Sequence, residues 1–374
     1  MFWPECKLTE KVFKKLAVIA LLFFSIQAQA LVVLQQASLS LGTEYDSNPS
    51  LSSENKQSVW RYLANPSYKI SAVQDQDRWY MNGGLSIERS SDKRISSDRE
   101  DPNIRVGWER EYERGKFGIV GSYDKTSSRV SEFKNSGLVS GDGNSTTKSI
   151  GINWSRLLSE KLSLTTGSQL LKADFSGAED LTSYSTRSFN TGLSYELTEK
   201  INPFIQFDTT QYRPSGGSSD RTNSQNYLLG ARIIVNPQFN FTASAGIGHV
   251  STEGNGHIAN ASATYEGERY HLTGALARSI SASSTGGFQV SDRLSLDYHY
   301  DLTEKSNLGA DYSWSKYKSF DETETRELSG YYDRELSEYW QMRLSAQLRQ
   351  HKDSTQTANG NIVGISFIYN TPEF

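Results

Sequence analysis

Beyond its first thirty residues the chain lacks cysteine and lacks any long apolar run. The single cysteine, Cys6, precedes the apolar segment Leu16–Ile26, which is shorter than the about 20 residues of a transmembrane helix. Four lysines stand before this segment and a small-x-small triplet, 28–30, follows it, so we expect a signal peptide over 1–30. The remainder, 31–374, has no thiol chemistry and no visible linker, and we expect it to form one domain.

Neither sign of charge predominates. The whole chain carries 39 Lys and Arg against 43 Asp and Glu, and without the first thirty residues the counts are 35 and 41. So mild an acidic excess argues against a nucleic acid partner. The five histidines are scattered, and no metal-binding spacing, P-loop or dinucleotide fingerprint occurs. We therefore expect no cofactor and no enzymatic activity; a barrel enzyme using His271, His299 and several serines is the weaker alternative.

What the chain does have is a regular alternation of polar and apolar residues. From Leu31 onward it divides into eighteen amphipathic segments, most of them 10–14 residues long, with alternately tight and long connections. Thr198–Lys200 and Thr303–Lys305 are tight, whereas Asp46–Lys56 and Lys125–Thr146 are long. Segments of about this length cross a bilayer as tilted strands. A soluble sandwich or propeller would have strands of about five or six residues.

The pattern therefore predicts an all-β fold, a transmembrane antiparallel up-and-down β-barrel of about eighteen strands, with sixteen as the fallback. The expected location is the outer membrane of a Gram-negative bacterium, with both termini and the tight turns in the periplasm. The outer wall would contact membrane lipids and lipopolysaccharide.

Strand parity assigns the faces of the segments. Between Trp340 and Arg349 every second residue is apolar and the others are polar or charged. The apolar set must face lipid, because Arg or Lys at the bilayer midplane would cost about 2–4 kcal/mol. By the same parity the candidate lumen-lining residues are Arg232, Arg293, Asp297, His299, Glu327, Asp333, Arg343 and Arg349. Aromatic residues near segment ends predict an interfacial girdle, with a lumenal sugar-stacking track as the alternative.

A barrel of 16–18 strands leaves an aqueous channel, so the sequence predicts a conduit. Mixed lumenal charges suit a sliding sugar chain and equally suit a general diffusion porin. A structural barrel plugged by charge pairs is a third interpretation. The loop Lys125–Thr146 is the only candidate for an inward-folded segment, and it is barely long enough.

The segment Leu41–Pro49 and the hairpin turns at Leu197–Lys200 and Leu302–Lys305 resemble a family of β-barrel porins (type 2) found with exopolysaccharide synthesis and export systems. The resemblance implies export of a polysaccharide chain alongside a periplasmic polysaccharide-export protein. It implies no catalytic residue. Gly364–Tyr369 with the terminal Phe374 resembles the signal recognised by the outer-membrane barrel assembly machinery.

Overall fold

The computed structural model describes residues 31–139, 141–215, 221–318 and 322–372. The expected signal peptide and Phe374 lie outside the described residues. Nearly all of the described chain is strand. The strands are β1 (Val32–Asp46), β2 (Val59–Gln74), β3 (Asp77–Ser90), β4 (Arg99–Tyr112), β5 (Gly115–Ser127), β6 (Asn144–Leu157), β7 (Leu162–Ser176), β8 (Tyr184–Tyr195), β9 (Ile201–Pro214), β10 (Thr222–Asn236), β11 (Phe239–Val250), β12 (Gly254–Glu266), β13 (Tyr270–Ser283), β14 (Gly287–Thr303), β15 (Ser306–Lys318), β16 (Glu322–Glu335), β17 (Trp340–Lys352) and β18 (Thr357–Asn370).

These strands form one closed antiparallel barrel. Each strand pairs with its neighbours in the chain, and β18 pairs with β1 from Ser38↔Asn370 to Asp46↔Ile362. Closure leaves none of the eighteen described strands with an unpaired edge, as a lipid environment requires. The predicted count of eighteen is confirmed. One helix occurs in the described ranges, α1 (Ser128–Asn135), between β5 and β6. Among the described residues, no helix is both long enough and apolar enough to span a membrane.

The tight turns are closed by side chains that the sequence repeats. Thr198 Oγ1 accepts from the Lys200 and Ile201 backbone N–H groups at 3.3 and 3.1 Å. Thr303 Oγ1 accepts from Lys305 N–H at 3.2 Å, and Asn236 Oδ1 closes its own turn in the same way. A hydroxyl or amide oxygen that bonds the backbone two or three residues ahead stabilises a turn locally. The recurring Leu-Thr/Ser-Glu-Lys sequence is therefore a turn motif.

We call the opposite end of the barrel the mouth. Its connections in the second half of the chain are shorter than predicted. The early mouth connections are long, but β11–β12 and β13–β14 are joined by only 251–253 and 284–286. Gly254 at φ +85° and Gly286 at φ +105° allow these tight reversals, because the left-handed region is readily open only to glycine. The predicted alternation of tight and long connections therefore holds only for the earlier part of the chain.

The outer wall is apolar and the buried core lies at the mouth. Leucines such as Leu229 and Leu348 are exposed on the wall, as are Trp60 and Trp340 near strand ends, which agrees with an interfacial girdle. Two buried clusters lie at the mouth: Leu51, Phe133 and Ala358, and Tyr212, Val250 and Phe288. Both buried apolar clusters of the described residues therefore lie at one end of the barrel.

Candidate functional site

Helix α1 crosses the inside of the mouth. At its start the Ser128 hydroxyl donates to Gly141 O and accepts from Gly143 N–H, both at 3.0 Å. At its end, Tyr317 Oη donates to Lys134 O and Gln289 Nε2 donates to Asn135 O, both at 2.7 Å. Tyr317 and Gln289 belong to β15 and β14, on the far side of the eighteen-strand ring from β5 and β6. The helix therefore bridges opposite walls.

A buried carboxylate fixes the middle of this bridge. The Glu132 side chain is 2% exposed and accepts from the Ser136 hydroxyl at 2.6 Å and from the Ser284 hydroxyl. It forms no ion pair with any residue that the structure describes. Ser284 lies in the β13–β14 turn, whose backbone also binds the β7–β8 loop through Thr182 N–H at 2.8 Å. Helix, hairpin and loop meet over the lumen.

A glycine permits the close approach of α1 to the wall. Gly137, just after the helix, has φ +72°, and a Cβ added there would lie 2.4 Å from the Tyr317 ring. Both the backbone conformation and the available space therefore require glycine at this position.

The anchors of α1 show which strand faces point inward. Gln289 and Tyr317 contact the helix, so the alternate residues of β14 that share the face of Gln289 also point inward. Arg293 is one of them: its guanidinium lies 5.6 Å from the Tyr317 ring centroid and its Nη2 donates to Asn135 O at 3.4 Å. Asp297 lies on the same face four residues further along β14, directly opposite Asp311 of β15.

The other candidate lumen-lining residues fall into separate groups. Arg343 makes a two-pronged ion pair with Asp333 at 2.7 and 2.6 Å and stacks on the Tyr331 ring. Tyr331 Oη is 3.2 Å from His299 Nδ1, which brings His299 into the same group. Arg232 lines a different cleft, on β10, and contacts none of these residues in the described chain. That all of these residues line an open path remains a prediction.

Glu327 and Arg349 belong to a cavity of about 460 Å³ beside α1, whose other charged residues are not among the eight candidate lumen-lining residues. Two arginines that line this mouth cavity, Arg61 and Arg349, share the carboxylate of Asp46, which is fully buried. Its Oδ2 accepts from Arg61 Nη2 at 2.9 Å and from Arg349 Nη2 at 2.7 Å. Arg61 also binds Glu44 at 2.7 Å.

Arginines from β4 and α1 complete the lining. Arg99 pairs with Asp101 at 2.8 Å. Arg129, from α1, donates to Ile95 O at 3.3 Å, and burial lowers the pKa of its guanidinium, with Asp142 opposing that shift. No local sequence signal marks this cavity, because Asp46 and its partner Arg349 are 303 residues apart in the chain.

The segment that carries the family resemblance therefore has a structural role. Next to Asp46, Asn48 is buried, and its side-chain amide donates to Ser52 O at 2.8 Å and to Asn359 O at 3.0 Å. These bonds fix the β1–β2 loop against β18. Asp46 and Asn48 hold the wall of the mouth cavity in place.

Within the described ranges, no group of three or more His, Cys, Asp and Glu residues could hold a metal ion. No protein-family model matches this chain, and no curated protein sequence does.

Solved structures do share its architecture. OccAB4 of Acinetobacter baumannii superimposes with a TM-score of 0.52 at 10% identity, over 91% of this chain and 98% of that one. OpdQ of Pseudomonas aeruginosa gives 0.50 at 9% identity, over 91% and 99%. The ferric enterobactin receptor of Pseudomonas aeruginosa gives 0.50 at 8% identity, over 92% and 81%. The chain thus has the closed barrel fold of outer-membrane porins.

Proposed function

We propose that this chain is an outer-membrane conduit for small hydrophilic solutes, narrowed at its mouth by α1. The observation that carries the proposal is a helix that bridges opposite walls of an eighteen-strand barrel. Side chains fill a barrel of about eight strands, whereas one of 16–18 encloses a channel. Helix α1, the segment that folds inward, then sets the size of the solutes that pass. The apolar outer wall and the barrel fold support the outer membrane as its location.

The packing of the mouth favours small solutes over a polymer. Helix α1 lies across the path of a sugar chain, and moving it out of the lumen would break the bonds from Tyr317 and Gln289 and expose Phe133. Small solutes need only the space beside the helix, where the mouth cavity lies.

Conductance in planar bilayers tests this proposal. Purified protein should form ion-conducting channels, and replacing 128–139 by a short Gly-Ser linker should raise the single-channel conductance severalfold, because the helix obstructs the path. The matched control removes 55–57, three exposed residues of the β1–β2 loop, and should change conductance little. If neither the intact protein nor the helix-deleted variant conducts, the conduit is rejected.

Polysaccharide export is the second candidate, with the resemblance at Leu41–Pro49 as its starting point. One structural observation favours it. The inward faces of β8–β12 carry hydroxyl and amide side chains with few charges, including Ser188, Asn190, Thr210, Ser244 and Asn260. Such a wall offers exchangeable hydrogen bonds to sugar hydroxyls. A periplasmic polysaccharide-export protein would then be the partner that delivers the sugar chain to the tight-turn end of the barrel.

A gene-deletion strain tests the export candidate. Loss of surface polysaccharide, restored by the intact gene, would support it. Normal surface polysaccharide in the deletion strain would exclude the export candidate and leave the solute conduit as the proposed function.

A further inference from the structure

We propose that the mouth cavity binds a neutral saccharide through the guanidinium donors and free carboxylates of its wall. This proposal names a ligand class for the site described above and takes its physiological meaning from the proposed conduit. Binding itself can be measured whether or not the barrel conducts. The cavity of about 460 Å³ lies within the usual range of small-molecule sites, about 300–1,000 Å³.

Arg61 and Arg349, two arginines of the cavity, have their charge neutralised but retain spare donors. Arg61 is held by Glu44 and Asp46, and Arg349 by Asp46, at 2.7–2.9 Å. The Nε atoms of Arg61, Arg129 and Arg349 are nevertheless buried without a hydrogen-bond partner in the described chain. A buried N–H without an acceptor is costly, so a ligand oxygen at this place would be stabilising. Arg61 and Arg349 therefore lack a hydrogen-bond acceptor for Nε–H, and they do not lack a counter-charge.

Spare acceptors lie in the same cavity. Glu327 and Asp124 line it and make no ion pair or side-chain hydrogen bond with any described residue. Glu327 lies directly opposite Arg349 in the β16–β17 register, so a free carboxylate and a free N–H are cross-strand neighbours. A sugar hydroxyl both donates and accepts, which suits adjacent groups of these two kinds.

The balance of charge excludes a simple ion as the preferred ligand. Six basic and six acidic side chains line the cavity: Arg61, Arg99, Lys125, Arg129, Lys134 and Arg349, against Glu44, Glu88, Asp101, Asp124, Asp142 and Glu327. An anion would meet six carboxylates and a cation six basic groups, so neither gains net attraction. Val130 and Phe133 of α1 add an apolar side, against which the C–H face of a sugar ring can pack.

A ligand-observed NMR titration with maltose tests the proposal on the full-length mature protein. The micelles are of a detergent without a sugar headgroup, because a maltoside or glucoside would compete. Maltose should bind in the millimolar range, since a transport site must also release its ligand. Gluconate and glycine serve as the anionic and zwitterionic comparators and should bind more weakly.

Glu327→Ala removes a spare acceptor without touching an ion pair. It should weaken maltose binding about tenfold or more, as expected for a lost hydrogen bond to a charged group. Glu196→Ala, a carboxylate at the tight-turn end, is the matched control and should bind maltose like the unmodified protein. Heat-modifiable migration on gels verifies that both variants are folded.

No maltose binding, or equal binding by Glu327→Ala and the unmodified protein, would overturn the saccharide site. Tighter binding of gluconate than of maltose would also overturn it and identify an anion site. Maltose binding by the intact protein, when neither it nor the helix-deleted variant conducts, would refute the conduit and leave the saccharide site standing. Conductance without maltose binding would refute the saccharide site and leave the conduit standing.

Discussion

Replacing Asp46 by alanine should destabilise the barrel more than any comparable loss of a lumenal carboxylate. The variant leaves Arg349 without its 2.7 Å partner, while Arg61 keeps Glu44. Breaking a buried ion pair costs about 3–5 kcal/mol, because the remaining charge stays desolvated. The Arg61 and Arg349 side chains are each only 12% exposed, so water replaces little of what is lost. Since Arg61 retains one carboxylate, we expect about 3 kcal/mol, the lower end of that range.

Urea-induced unfolding from lipid vesicles, followed by tryptophan fluorescence, measures this loss. The matched control is Asp333→Ala, which removes the ion pair that Asp333 forms with Arg343. The Arg343 side chain is 42% exposed and can regain water, so the control should lose about 1 kcal/mol or less. The double variant Asp46→Ala/Arg349→Ala should recover part of the stability. Equal losses in Asp46→Ala and Asp333→Ala, or no recovery, would refute the reasoning.

Three further predictions concern α1, the outer wall and the lumen. Gly137→Ala should undock α1 and raise single-channel conductance, because φ +72° and the nearby ring leave no space for a Cβ; unchanged conductance would contradict this. Leu344→Arg should reduce the yield of folded, heat-modifiable barrel, at about 2–4 kcal/mol for a charge facing lipid, whereas lumen-facing Ser345→Arg should fold. Reversing the charges of Asp297 and Glu327 should shift ion selectivity, measured as reversal potential, toward anions; an unchanged potential would place both outside the conducting path.

The strands could be predicted because their signal is local. Alternation with period two and the recurring turn motif fix where each strand begins, and the observed number of strands is the predicted eighteen. Asn236, Thr198 and Thr303 close their own turns through side chains two or three residues away, so the sequence window contains the whole interaction.

The mouth could not be predicted, because its interactions connect distant parts of the chain. Helix α1 is eight residues long and has little stability of its own; its partners Gln289 and Tyr317 lie more than 150 residues away. Likewise, nothing next to Asp46 in the sequence indicates that Arg349 completes its ion pair. Parity assigned Glu327 and Arg349 to one face, but only the loop that folds inward makes them parts of one cavity.

The bonds around Asp46 and Asn48 also bear on how the barrel assembles. β1 must pair with β18, and this closing seam joins residues more than 300 positions apart, the contacts with the greatest loop-closure entropy in the chain. Asp46 reaches across β18 to Arg349, Asn48 binds Asn359 O, and Ser47 Oγ accepts from Asn361 N–H at 2.8 Å. These side chains stabilise the β1–β18 pairing, which forms slowly because its loop-closure entropy is large. The residues at and just after the end of β1 thus hold β18 in place. Closing the ring and completing the mouth are therefore coupled in folding.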